Sequence, residues 1–156
     1  MRRCLQYLIY IILVGCSEPP QQSQHAEMVE PWFTEEAKER GLDFVWKSGF
    51  EGNPYLPEIA SGGVALLDVD GDGDVDIYLV QGGSITTPEQ TDFANQLFLN
   101  DGTGHFTNAT TDSGADDTQF GTGVTTGDYD NDGDLDMYLT NVNANVLLRN
   151  EGNGTF

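Results

Sequence analysis

Basic residues are almost missing from this chain. Its 156 residues hold 6 Lys and Arg against 26 Asp and Glu, a formal net charge of −20. Arg2 and Arg3 lie at the extreme N-terminus, which leaves Lys38, Arg40, Lys47 and Arg149 for all the rest. Such a surface repels nucleic acid, whose binding depends on Lys and Arg displacing counterions from phosphate. It repels anionic lipid headgroups for the same reason. Cysteine is equally scarce. Cys4 and Cys16 are the only 2, both near the start, so the body of the chain has no disulfide framework, no thiolate zinc site and no Cys nucleophile. Ser61 and Ser84 have glycine neighbours but no G-x-S-x-G elbow. His25 falls in a polar stretch and His105 in a Gly-flanked turn, where a turn role is expected. No catalytic residue is assigned, and the chain is expected not to be an enzyme.

Long apolar runs are missing too, with one exception. Leu5 to Val14 is nearly unbroken, follows Arg2 and Arg3, and is too short to span a bilayer comfortably. It ends in Leu13-Val14-Gly15-Cys16, which resembles the bacterial lipoprotein signal, cut before a Cys that is then lipidated. The expected division is a signal peptide over 1–15, then a lipidated Cys16 and a flexible spacer to residue 31. An ordinary signal peptide or membrane anchor with an incidental Cys fits the same run. Ser17 to Glu30 is rich in Pro, Gln and Ser and too poor in large apolar residues to fold. These features predict export to the bacterial cell envelope, outer membrane or cell surface, with the membrane reached only through the anchor at Cys16.

Beyond residue 31 the apolar residues come in short β-rich runs and the acids are clustered, unlike a disordered acidic chain. Pro31 to Gly41 is a short helix candidate, with Thr34 as N-cap, Glu35 and Glu36 in the first turn, and Lys38 and Arg40 near its end. Leu42 to Trp46 reads as a strand. An internal repeat follows. Gly63 to Val80 (GVALLDVDGDGDVDIYLV) matches Gly123 to Asn141 (GVTTGDYDNDGDLDMYLTN) at a spacing of 60. Asn95 to Phe106 (NQLFLNDGTGHF) matches Asn145 to Phe156 (NVLLRNEGNGTF) at a spacing of 50. The difference falls in Gly82 to Ala94, which reads as an inserted surface loop. Each unit is strand, Asp loop, strand, connection, strand, Asn/Gly turn, strand, the plan of a propeller blade.

The two Asp loops run from Asp68 to Asp76 and from Asp128 to Asp136. Carboxylates at Asp68, Asp70, Asp72 and Asp76, and at Asp128, Asp130, Asp132 and Asp136, occupy loop positions 1, 3, 5 and 9. Gly73 and Gly133 stand at position 6. The carbonyls of Asp74 and Asp134 suit position 7. Hard oxygen donors at alternate positions around a glycine turn point to Ca²⁺, two sites in all. Two carboxylates ~5 Å apart at an effective dielectric of ~20 repel by roughly 3 kcal/mol. The six pairs in a closed loop make that on the order of ten kcal/mol before solvent and salt relieve it. Mg²⁺ prefers rigid, water-rich octahedral sites, and zinc or copper would want His or Cys. Position 12 is Leu79 or Leu139 rather than Glu, and the flanks are strands, so these are not EF-hands.

Loop and strands together resemble the FG-GAP or VCBS repeat of integrin-α-type propellers. Phe33-Thr34 with Gly41-Leu42-Asp43-Phe44, Tyr55-Leu56-Pro57-Glu58, Gly62-Gly63-Val64-Ala65 and the paired turns at 100–106 and 150–156 resemble bacterial ASPIC/UnbV proteins, relatives of cartilage acidic protein. The resemblance covers about residues 32–156. It implies an all-β chain, about two blades (near 60–110 and 120–156) of a seven-bladed β-propeller, with calcium held by the Asp residues named above. It also implies a binding or adhesion role toward an extracellular protein or glycan. A fragment of an extracellular propeller enzyme acting on polysaccharide is the rival reading. Two units do not close a propeller, so the chain is expected to be part of a longer protein. Reading the gene beyond Phe156 should meet further coding sequence, and an immediate stop codon contradicts the expectation.

Overall fold

Short strands whose side chains alternate inward and outward, joined by turns of Gly, Asn and Asp, favour antiparallel meanders over any helical packing. The computed structural model contains two of them. It describes residues 32–60, 62–88 and 91–156, and it divides into two units, Met1–Thr34 and Glu35–Phe156. The expected signal peptide, Cys16 and the spacer up to residue 31 lie outside the described residues, as does Ser61. Among the described residues no helix is long and apolar enough to cross a membrane.

Both sheets belong to the Glu35–Phe156 unit. The first holds β1 (Val64–Leu67), β2 (Asp76–Leu79), β3 (Gln96–Asn100) and β4 (Phe106–Asn108), in that order. The second holds β5 (Gly121–Gly127), β6 (Asp136–Asn141) and β7 (Val146–Leu148). Every pairing is antiparallel. The registers repeat with the sequence: Leu67 faces Asp76 as Gly127 faces Asp136, and Ile77 faces Phe98 as Met137 faces Leu148. One helical turn, α1 (Thr110–Ser113), leads from the first sheet toward the second and ends at Gly114, whose φ is +76°.

The sheets pack face to face. Ala65, Leu67, Val69, Tyr78, Val80 and Leu97 from the first meet Met137 and Leu139 from the second, with Ala115 between them and Val124, Val146 and Leu148 at the margin. The Tyr78 hydroxyl donates to the Ala115 carbonyl at 3.0 Å, which satisfies its one polar atom inside that layer. The approach is close enough to need glycine: a Cβ at Gly121 would overlap the Val80 side chain, and one at Gly63 would come 3.0 Å from the Val124 amide.

Three expectations change at the periphery. The helix expected over Pro31 to Gly41 is a single turn. Arg40 N–H donates to Glu36, and the turn closes through Gly41 N–H to Lys38 and Leu42 N–H to Ala37. That pair of bonds with a left-handed Gly41 (φ +89°) is a Schellman stop, which arrives before a second turn can form. The strand expected over Leu42 to Trp46 keeps its alternation, with Leu42, Phe44 and Trp46 half-buried between exposed neighbours, but joins no ladder. The Leu42 and Asp43 amides turn back to the carbonyls of Ala37 and Gly41, and a side chain holds the segment's far end. Gln81 Nε2 donates to the Val45 carbonyl and Gln81 Oε1 accepts the Lys47 N–H. The inserted loop is only partly a surface loop, since Gly82 to Ser84 are buried. Glu51 clips it down by accepting hydrogen bonds from the Ser84 and Thr86 hydroxyls, which also hold the Glu51 carboxyl below its ordinary pKa of 4.5.

Gly41 and Gly49 are intolerant positions of this periphery, because a Cβ at Gly41 would strike the Phe106 carbonyl and one at Gly49 the Gly83 carbonyl, and each residue is at positive φ. Gly41→Ala should lower stability by about 2 kcal/mol in denaturant unfolding. An unchanged midpoint would contradict the docking of this turn against β4.

Candidate metal sites in the aspartate loops

β1 must stop after Leu67 and β2 must start at Asp76, because both flank a loop with two residues in the left-handed region. In the first loop these are Gly71 (φ +76°) and Gly73 (φ +94°). In the second they are Asn131 (φ +63°) and Gly133 (φ +102°), and Asn131 is the one non-glycine residue at positive φ among those described. Asn tolerates that region better than other side chains, so it substitutes for glycine at position 4.

The last aspartate of each loop carries the geometry. Asp76 is fully buried. Its Oδ2 accepts the Val69 N–H and its Oδ1 accepts the Asn100 N–H, both at 2.8 Å. One carboxylate thus ties the loop's entry to the end of β3. Asp136, 1% exposed, makes the same pair of bonds with Tyr129 N–H at 2.9 Å and Asn150 N–H at 2.8 Å. Asn100 and Asn150 complete the frame. Their Nδ2 groups donate to the carbonyls of Val75 and Leu135, and their Oδ1 atoms accept from Gly102 and Gly152.

The first aspartate of each loop faces into the turn. Asp68 accepts the N–H groups of Gly71 and Gly73 at 2.9 and 3.0 Å, and Asp128 accepts that of Gly133 at 3.2 Å. Carboxylate oxygens of Asp68, Asp70 and Asp76 lie within 4.8 Å of one another, as do those of Asp128, Asp130 and Asp136. Asp72 and Asp132 are not in these groups; their carboxylates accept the N–H of Asp74 and Asp134. The Asp74 and Asp134 side chains lean over the adjoining turns. A Cβ at Gly102 would fall 2.5 Å from Asp74 Oδ2, and one at Gly152 would overlap Asp134 in the same way.

Burial pushes the Asp76 carboxyl above its ordinary pKa of 3.8. The Asn100 and Val69 amides oppose that rise, and the charges of Asp70 and Asp72 add to it. A raised folded-state pKa contributes stability below the ordinary value and loses it as pH rises through the folded one. At neutral pH, therefore, ionised Asp76 is held at a cost that a nearby cation would offset. The donor set is all oxygen, with three carboxylates converging from a tight turn, which suits a hard dication.

A known pattern accounts for this pair of loops. An FG-GAP-like repeat is found at residues 68–139. The FG-GAP-like match starts at Asp68, takes in the whole first loop and the second sheet's hairpin, and ends at Leu139 on β6. No curated protein matches the chain.

Asn100, Asn150 and the position-4 residues were the parts of the site that residue types alone did not single out. Their signal was present: both asparagines recur at the 50-residue spacing, and position 4 alternates Gly with Asn. Asp76→Asn and Asp136→Asn test the frame directly, because an amide can accept only one of the two buried N–H groups. In chelator, each should cost about 2 kcal/mol of stability by denaturant unfolding. Stability equal to the parent would mean the carboxylate does not hold the loop.

Proposed function

We propose that this chain is a secreted, surface-tethered module of blade-type repeats, stiffened by structural Ca²⁺, that binds an extracellular protein or glycan and has no catalytic role of its own. The observation that carries the reading is the recurrence of one hydrogen-bond frame at two loops 60 residues apart, each gathering three carboxylates within 4.8 Å. Asp68, Asp70 and Asp76 would hold one ion, and Asp128, Asp130 and Asp136 the other. The carbonyls of Asp74 and Asp134 and the carboxylates of Asp72 and Asp132 complete the proposed ligand set. A bound dication supplies charge neutralisation where the loop would otherwise repel itself.

The sheet faces support a propeller of the FG-GAP/VCBS type. The first sheet's face is covered by the second at Val69, Tyr78 and Leu97, all 0% exposed. The same positions of the second sheet, Tyr129, Tyr138 and Leu147, stand open at 55%, 42% and 46%. Two sheets stacked in one sense, with equivalent faces, are what neighbouring blades present. The tether and bacterial envelope location rest on Leu13 to Cys16, and the ASPIC/UnbV kinship rests on the motifs between Phe33 and Phe156.

Titration calorimetry on residues 17–156 should find two equivalents of Ca²⁺, with affinities near the ~10⁻⁴ to 10⁻³ M range of extracellular modules. At a hundredfold excess over Kd each site should add about 2.7 kcal/mol of stability. Absence of uptake together with a melting temperature indifferent to chelator would refute the calcium reading.

A further inference from the structure

The two loops share a frame but not a neighbour. Arg149, on the strand end after β7, places Nη1 3.7 Å from Asp130 Oδ2, and its Nη2 pairs with Glu151. The equivalent position of the first repeat is Leu99, an apolar side chain packed against the core. Among the described residues no other ion pair reaches an aspartate of either loop. Asp130 is one of the three converging carboxylates of the second loop. The two frames share the bonds of Asp76 and Asp136 and of Asn100 and Asn150, but Asp68 accepts two turn amides where Asp128 accepts one, and Asp68 and Asp70 are half-buried where Asp128 and Asp130 are exposed. Among the described residues the guanidinium of Arg149 is the one basic group paired with an aspartate of either loop.

We propose that Arg149 is a built-in competitor for the second loop and makes it the weaker of two unequal cation sites. The inference rests on the calcium reading. An entering dication meets a permanent positive charge already paired with one of its oxygens. It must displace the guanidinium toward Glu151 or bind beside it against repulsion. Arg149 is half-exposed, so added salt weakens the effect. In the absence of Ca²⁺ the same guanidinium relieves repulsion among the aspartates. The residue therefore stabilises the empty loop and disfavours the filled one, a pair of opposite effects that packing alone would not produce.

The test is Ca²⁺ titration at low ionic strength in an Asp68→Asn/Asp70→Asn background, which leaves the second loop as the only intact site. Arg149→Leu, which installs the residue type found at position 99, should tighten binding there by about tenfold. Arg149→Lys, which keeps the charge, should stay close to the parent. In the reciprocal Asp128→Asn/Asp130→Asn background, Arg149→Leu should leave the first loop's affinity unchanged. If either background fails to fold, Tb³⁺ luminescence sensitised by Tyr129, whose counterpart in the first loop is Val69, reads the second loop with all aspartates in place. Unchanged or weaker binding in Arg149→Leu, or tightening by Arg149→Lys to the same degree, would overturn the assignment while leaving the calcium reading intact. No uptake at either loop of the parent chain would overturn both.

Discussion

One buried carboxylate per repeat organises everything around it. Asp76 and Asp136 each accept two backbone N–H groups from segments far apart in the chain, one at the entry of their own loop and one at the end of the next strand. Each bond removes an orphan donor that would otherwise be buried without a partner. Together they close the loop whatever else binds to it. The scaffold's own hydrogen bonds thus bring Asp68 and Asp70, or Asp128 and Asp130, close to the buried carboxylate. Concentrated negative charge in a preformed turn is the consequence, and it is the property from which the proposed cation binding follows.

The same frame joins the repeats. The turn after β7 belongs to the second loop through Asn150, yet Gly154 N–H donates to the Val69 carbonyl of the first loop at 3.2 Å. Phe156 N–H reaches back to the Ser113 carbonyl at 2.8 Å. A repeat's turn therefore rests on its predecessor's loop while its face rests on its predecessor's sheet.

Much of this could be read from residue order. The Asp/Gly spacing located both loops, the internal repeat of the segments flanking them located β1, β2, β5 and β6, and the recurring Asn-x-Gly segments located the turns. Those signals are local, and local geometry satisfies them. What was not legible depends on partners distant in sequence. Leu42 to Trp46 has a strand's alternation but not a strand's ladder: its first amides close the preceding turn, and the Gln81 side chain, 36 residues away, holds the Val45 carbonyl. Residues 82–84 look like a solvated insertion until Glu51 is seen to clip them down. Asn100 and Asn150 look like turn residues until their amides are seen on the loop carbonyls. Arg149 gains meaning only from its distance to Asp130.

On this view buried Asp76 and Asp136 shape the loops before any cation arrives. Amide hydrogen exchange in chelator, read at Val69, Asn100, Tyr129 and Asn150, tests it most directly. Slow exchange is expected at all four, as for strand amides, with Ca²⁺ adding protection mainly at the glycines of the turns. Fast exchange at these four amides that becomes slow only with Ca²⁺ would contradict it, and would assign the loop's shape to the metal instead.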